Sequence, residues 1–442
     1  MNASSYCDFN EFGGLVMSHE RVNDRRWLIA VMGTCLQVCL GTVYAWSYFQ
    51  KPLVAQYGWA NTKVAWAFSL AIFSLGCAAA WGGMKLPKYG PRLLAVTGGA
   101  LFGLGNMLAA LALHIKSLPL LYVGYGLIGG VGLGLGYVTP VATVAKWFPG
   151  KKGFVTGMVI MGFGLGALLM SKVIAPLLMT YFNGNLVEVF AVMGAGLAVA
   201  AMLFGSFLTN PPAGAVSQPQ GPNAAPVTSQ SSVQRELAGS GGIATWRFLV
   251  MWLVFFCNIM AGISIISFQS PLMQDLWHKI DPSLNAAALA AYGATLIAIS
   301  SLFNGIGRLF WGGLSDRLGR VQTFRVMIGT QVVAFGLLML TGNPWIFGAL
   351  ICYILLCYGG GFGTMPSFVH DVFGAKRMPV VYGTILTAWS AAGVAGPQMV
   401  AYLKDHFSEQ ASRYAFGISA GILTLGLVLA LLLSNRPLSK AD

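Results

Sequence analysis

Residues 288–320 read ALAAYGATLIAISSLFNGIGRLFWGGLSDRLGR. From 288 to 307 no residue is charged, and about 20 apolar residues are enough for an α-helix to cross the hydrocarbon core of a bilayer. The run lacks the short alternating segments of a membrane β-barrel. One cation, Arg308, interrupts it, and Asp316, Arg317 and Arg320 then crowd a glycine-containing loop. The reading is a transmembrane helix that ends in a charged turn. At 1.5 Å rise per residue Arg308 sits roughly 12 Å inside that turn, near the bilayer middle.

The same pattern extends over the whole chain. Apolar residues make up 56% of its 442 positions and Asp, Glu, Lys and Arg only 9%. A soluble domain carries about 25% charged residues. The composition therefore excludes a soluble enzyme, a disordered protein and a coiled coil. Apolar runs predict twelve helices, at 27–49, 64–84, 92–113, 118–145, 153–180, 186–208, 246–270, 288–313, 322–341, 345–370, 378–403 and 411–434. Residues 209–245 are rich in Pro, Gly, Ser and Ala and read as a cytoplasmic linker. The expected organisation is a cytoplasmic segment 1–26, a six-helix bundle 27–208, the linker, a six-helix bundle 246–434 and a cytoplasmic tail 435–442.

The net charge of +13 could suggest nucleic acid. Its placement gives a simpler account, because basic residues gather in alternate loops, as cytoplasmic loops of membrane proteins do. Arg25, Arg26, Lys85, Lys88, Arg92, Lys151, Lys152, Arg317, Arg320, Lys376 and Arg377 fall on the side of both termini; Lys51, Lys63, Lys116, Lys279, Lys404 and Arg413 fall on the other. The polar first 26 residues and the long first apolar run do not look like a cleavable signal peptide. The cysteines lie mostly in apolar runs and read as packing residues. Cys35 and Cys39 have no further ligand nearby, so no metal is expected.

The two halves repeat each other. GMKLPKYGP (83–91) aligns without a gap on GGLSDRLGR (312–320), and TPVATVAKWFPGKKG (139–153) parallels MPSFVHDVFGAKRMP (365–379). A repeat at half-chain spacing is a feature of transporters built from two six-helix bundles. GGLSDRLGR resembles the loop signature of the major facilitator superfamily. GTVYAWSYFQKPL (41–53), GLGLGYVTPVATVAKWFPGKKGFVTG (132–157) and FNGIGRLFWGGLSDRLGR (303–320) are more specifically similar to the oxalate/formate antiporter family, bacterial relatives of the monocarboxylate transporters. The resemblance covers both bundles. It implies an all-α membrane protein of the major facilitator fold, with twelve transmembrane helices, in a bacterial inner membrane. The first-half loop departs from the pattern, with Pro87 where an acid usually stands. A conformational lock made by salt bridges across the bundles is therefore expected at Asp316, Arg317 and Arg320.

Charges at membrane depth are costly and usually mark function. Arg308 has Asn304 at i−4 and no acid within one turn. The resemblance implies that monocarboxylate transporters place Asp at that i−4 position. Without it, an anionic substrate can supply the missing charge through bidentate bonds. Lys172 lies nearer a membrane surface, with Glu188 as a candidate partner. Tyr44, Tyr137, Tyr358 and Tyr382 are candidate cavity hydroxyls, the first two also through the family resemblance. In oxalate-transporting members of that family the eleventh helix carries Lys, where this chain has Trp389. One deep cation rather than two favours a monoanion such as formate, lactate or pyruvate over oxalate.

The glycine clusters 129–136, 162–166 and 359–363 have no preceding strand and no acidic ribose partner, so they read as helix-packing sites and not as nucleotide loops. No ATPase motif occurs in the sequence, and transport is expected to run on gradients. The expected function is movement of a small monocarboxylate by alternating access, proton-coupled through His370 and Asp371, with oxalate/formate-type antiport as the alternative. Arg308, Tyr44, Tyr137, Tyr358, Trp389 and Asn304 form the expected substrate site. No cofactor, metal or nucleic acid is expected, and the chain is expected to be a monomer in lipid. The rival classes are a non-transporting receptor with a transporter fold and a membrane enzyme; the second lacks a clustered catalytic site.

Overall fold

The computed structural model describes residues 8–148, 152–212, 245–374, 377–407 and 410–435, with backbone alone for 8–24, 152–154 and 378–379. The linker beyond 212, the tail beyond 435, and Lys151 and Lys376 lie outside the described residues. Among the described residues the chain is helical and has no strand. The spans are α1 (Arg25–Tyr57), α2 (Asn61–Tyr89), α3 (Pro91–His114), α4 (Leu118–Trp147), α5 (Val155–Tyr181) and α6 (Leu186–Ser206). The second half holds α7 (Trp246–Ile280), α8 (Ala286–Leu318), α9 (Arg320–Leu340), α10 (Pro344–Phe373) and α12 (Ala411–Leu431). These eleven are long and apolar enough to cross a membrane.

The eleventh expected span, 378–403, differs. Here α11 is two helices, Met378–Ile385 and Thr387–His406, that meet at Leu386. The second of them carries Ser390, Gln398, Lys404 and Asp405, which lowers its apolarity. Its polar residues face other helices: Ser390 Oγ donates to the Phe73 carbonyl at 2.9 Å, and Gln398 Nε2 to Ser69 Oγ at 3.3 Å, both on α2.

Local chemistry sets the helix ends. Asn343 Oδ1 accepts from Trp345 N at 2.8 Å, and Pro344 opens α10 at a position where its missing N–H is not needed. The repeated loops end their helices alike. Gly90 closes α2 at φ 76, ψ 161, and Gly319 closes α8 at φ 84, ψ 150. Side chains rarely adopt such positive φ, so both aligned positions require glycine. The backbone repeat thus follows the sequence repeat.

Lipid gives helices little hydrophobic reason to associate, so close backbone approach does more of the work. The glycine clusters supply it. A Cβ on Gly359 would overlap the Asn304 carbonyl, and one on Gly363 would overlap the Arg308 carbonyl, which presses α10 onto α8. Across the halves, Gly164 of α5 lies against the Gly305 backbone of α8. A short 3-10 turn, Thr42–Ala45, interrupts α1 and holds Tyr44 buried. Among the described residues the halves meet most extensively where α2 packs on α11, α5 on α8, and α1 on α7.

Candidate functional site

The α5–α8 seam buries Arg308 to 2% exposure. A charge at bilayer depth costs about 2.5–3.5 kcal/mol on insertion scales, so its partners matter. Nη1 donates to the Ile160 carbonyl of α5 at 2.7 Å. Nε and Nη2 are buried without a partner among the described residues. The guanidinium lies over the Phe163 ring at 5.9 Å and the Phe362 ring at 5.3 Å. Three sides are therefore committed, and the Nε–Nη2 edge remains. That edge is a planar two-donor fork matching one carboxylate.

Aromatic residues from both halves surround it. Tyr44 of α1 and Tyr358 of α10 join hydroxyls at 2.6 Å. Trp389 of α11 is fully buried, with ring centroids 5.3 Å from Tyr137, 6.4 Å from Tyr44, 6.1 Å from Phe163 and 4.7 Å from Phe362. Trp389 Nε1 and the hydroxyls of Tyr137 and Tyr382 are buried and unpartnered among the described residues. Buried polar atoms left unpaired are costly, so a cluster of them suits a ligand that pairs them. Asn304 lies one turn from Arg308 on α8, its Oδ1 also buried and unpartnered among the described residues. The structure thus gathers Arg308, Tyr44, Tyr137, Tyr358 and Trp389, with Tyr382 and Asn304 also buried. Phe163 and Phe362 join them, although as apolar residues in glycine runs they gave no chemical cue in the sequence.

The remaining expected residues lie elsewhere. His370 and Asp371 are at the basic end of α10, half-exposed, with Nδ1 and Oδ1 3.5 Å apart. Arg320 contacts Asp371 at 3.0 Å, Asp316 at 2.6 Å, and the Ser315 hydroxyl. These partners all belong to the second half, so among the described residues this loop cluster does not make the expected salt bridges across the bundles. The physical reason is reach: Arg320 opens α9 directly beside the ends of α8 and α10. Arg317 is exposed and joins no ion pair among the described residues. Lys172 bonds Thr295 of α8 and not Glu188.

Charged ties between the halves lie at the opposite face. Asp275 of α7 meets Lys51 of α1 and Lys404 of α11, each at 2.6 Å. Asp405, beside Lys404, caps the start of α2: it accepts from Asn61 N at 3.0 Å, Asn61 Nδ2 at 3.0 Å, Thr62 N at 2.9 Å and the Thr62 hydroxyl. The cue for Asp275 was available, since residues 248–274 carry no charge before it.

Comparison with known proteins agrees with this architecture. The Major Facilitator Superfamily model matches residues 27–397. The chain is 26% identical to an oxalate:formate antiporter from Oxalobacter formigenes, over 94% of each chain. It is 28% identical to apicoplast pyruvate carrier 1 from Toxoplasma gondii, over 90% of this chain and 87% of that one. The solved nucleoside transporter NupG superposes at a TM-score of 0.67 over 92% of this chain and 99% of that one, at 14% identity, and so shares the fold. The chain belongs to the Major Facilitator Superfamily: it is a multi-pass membrane transporter and not an enzyme.

Proposed function

We propose that this transporter moves a small monocarboxylate by alternating access, binding it at Arg308. The observation that carries the reading is the Nε–Nη2 edge of Arg308, buried and unpartnered among the described residues. A monocarboxylate fits that two-donor edge, and its body fits the aromatic wall of Tyr44, Tyr137, Tyr358 and Trp389. The names of two relatives, an oxalate:formate antiporter and a pyruvate carrier, support a carboxylate. A single deep cation argues for a monoanion, and Trp389 supplies an apolar wall.

Geometry favours exchange as the coupling mode, because Arg308 has no carboxylate partner within salt-bridge reach among the described residues. A loaded anion neutralises it in both directions of travel. The second reading is proton symport through His370 and Asp371, which rests on their 3.5 Å approach beside Arg320. The bias of basic loops supports an orientation with both termini cytoplasmic, and the reading adopted is a monomer in a bacterial inner membrane, with bundles 27–208 and 246–434 joined by linker 209–245. Uptake of labelled formate, lactate, pyruvate and oxalate into proteoliposomes, with and without a pH gradient, tests substrate and coupling together. Binding without uptake would support a receptor instead.

A further inference from the structure

The base and the tip of Arg308 are held by different halves of the protein. Its backbone is clamped within the second half, where Gly363 of α10 lies against the Arg308 carbonyl. Its tip reaches into the first half, where Nη1 meets the Ile160 carbonyl at 2.7 Å. A helical carbonyl already serves the amide four residues on, here Gly164, and its second lone pair remains for the guanidinium. Reaching it requires α5 and α8 to approach closely. They do so at Gly164, whose added Cβ would stand 3.0 Å from the Gly305 Cα and N.

We propose that the Ile160 carbonyl is a positioning group for substrate. It turns the Arg308 fork so that Nε and Nη2 face the aromatic chamber, and it does so only while α5 and α8 keep this register. Carboxylate affinity is then set at the seam between the halves. A change of register during transport loosens the fork from its aim, and a bound anion in turn favours the register seen here. This rests on the carboxylate reading of Arg308 and adds to it a dependence on a residue of the opposite half that touches no substrate.

The test perturbs the seam without altering any group of the chamber. Gly164→Ala inserts a methyl against backbone that cannot fold away. Gly305→Ala inserts one against the flexible Met161 side chain, at 3.1 Å from its Cγ, and serves as the milder variant should the first not fold. Gly196→Ala, where nothing lies within 4 Å, is the control. Equilibrium binding of labelled lactate and pyruvate is measured on purified full-length protein, alongside melting with and without ligand. Gly164→Ala raises the Kd at least tenfold and Gly305→Ala raises it less, while ligand-free melting stays near wild type and Gly196→Ala binds normally. In an Arg308→Lys background, where the fork is gone, adding Gly164→Ala changes the Kd less than twofold. An unchanged Kd in both glycine variants, or an equal rise in the Arg308→Lys background, overturns the positioning role while leaving Arg308 as the substrate residue. Wild-type protein that binds neither acid overturns the carboxylate reading, and this one with it.

Discussion

Lys51 Nζ lies 2.6 Å from Asp275 Oδ1, joining α1 to α7 at the face opposite the basic loops. The other oxygen of Asp275 holds Lys404 at 2.6 Å. Lys404 belongs to the same half as Asp275, so of these two ion pairs the Lys51 bond is the one that crosses between the halves. Both side chains are partly exposed, at 38% and 41%, and such pairs contribute about 0–1 kcal/mol. The neighbouring Asp405 is a stronger tie, since it caps the α2 N-terminus through backbone and side-chain donors together. Removing a charged cap costs about 0.5–2 kcal/mol. Asp405→Ala is therefore expected to open this face several-fold more than Lys51→Gln. Thiol labelling of Ser267→Cys, a position on α7 that is 1% exposed here, reads the opening. Equal labelling in both variants would place the latch elsewhere.

Arg308→Lys retains the charge and loses the planar fork. Transport is expected to fall at least tenfold, because the ammonium cannot present two parallel donors or lie between the Phe163 and Phe362 rings in the same way. Initial uptake rates in proteoliposomes measure it. Near-normal affinity in Arg308→Ala would remove this residue from the site.

How much of this was legible in advance depends on the kind of residue. Arg308 declared itself by being charged within an apolar run, and Gly90 and Gly319 by an ungapped repeat that fixes the same backbone turn. Tyr44 and Tyr137 came in part from family motifs, Trp389 from its departure from the family's Lys, and Tyr358 from its place in an apolar run alone. Three-dimensional proximity is a different matter. Nothing in a helix period says that the Ile160 carbonyl meets Arg308, 148 residues away, because a backbone acceptor has no identity in sequence. The loop at Asp316 was expected to bridge the bundles, yet Arg320 closes on Asp371 within its own half. The break at Leu386 was hidden too: 378–403 reads as one continuous span in sequence, and nothing in its apolar pattern marks the point where the two helices meet.

Trp389→Lys places a second cation among Tyr44, Tyr137, Phe163 and Phe362. Monocarboxylate transport is expected to fall, with oxalate admitted in proportion as the two cations share a dianion. The site is fully buried, so expression and melting are measured first. Trp389→Phe keeps the apolar wall and removes Nε1, and is expected to weaken binding less than fivefold. A folded Trp389→Lys protein with the wild-type order of formate, lactate and oxalate would defeat the argument from cation count.

Coupling follows from the state of Arg308 when no substrate is bound. Its contacts are one carbonyl and two aromatic faces, and none of these carries a full negative charge. Reorienting the empty carrier means separating α5 from α8 with the cation still uncompensated in a low dielectric, where an unpaired ion costs several kcal/mol. Each tenfold in rate corresponds to about 1.4 kcal/mol. Exchange in vesicles without a pH gradient is therefore expected to outrun net efflux by at least tenfold. Where a proton is carried instead, an inward proton gradient drives accumulation above equilibrium, and His370→Gln or Asp371→Asn abolishes accumulation while sparing exchange. Counterflow and uphill uptake measured in the same vesicles separate the two. Equal rates of exchange and net efflux, with no response to the gradient, would rule out both and make the protein a uniporter.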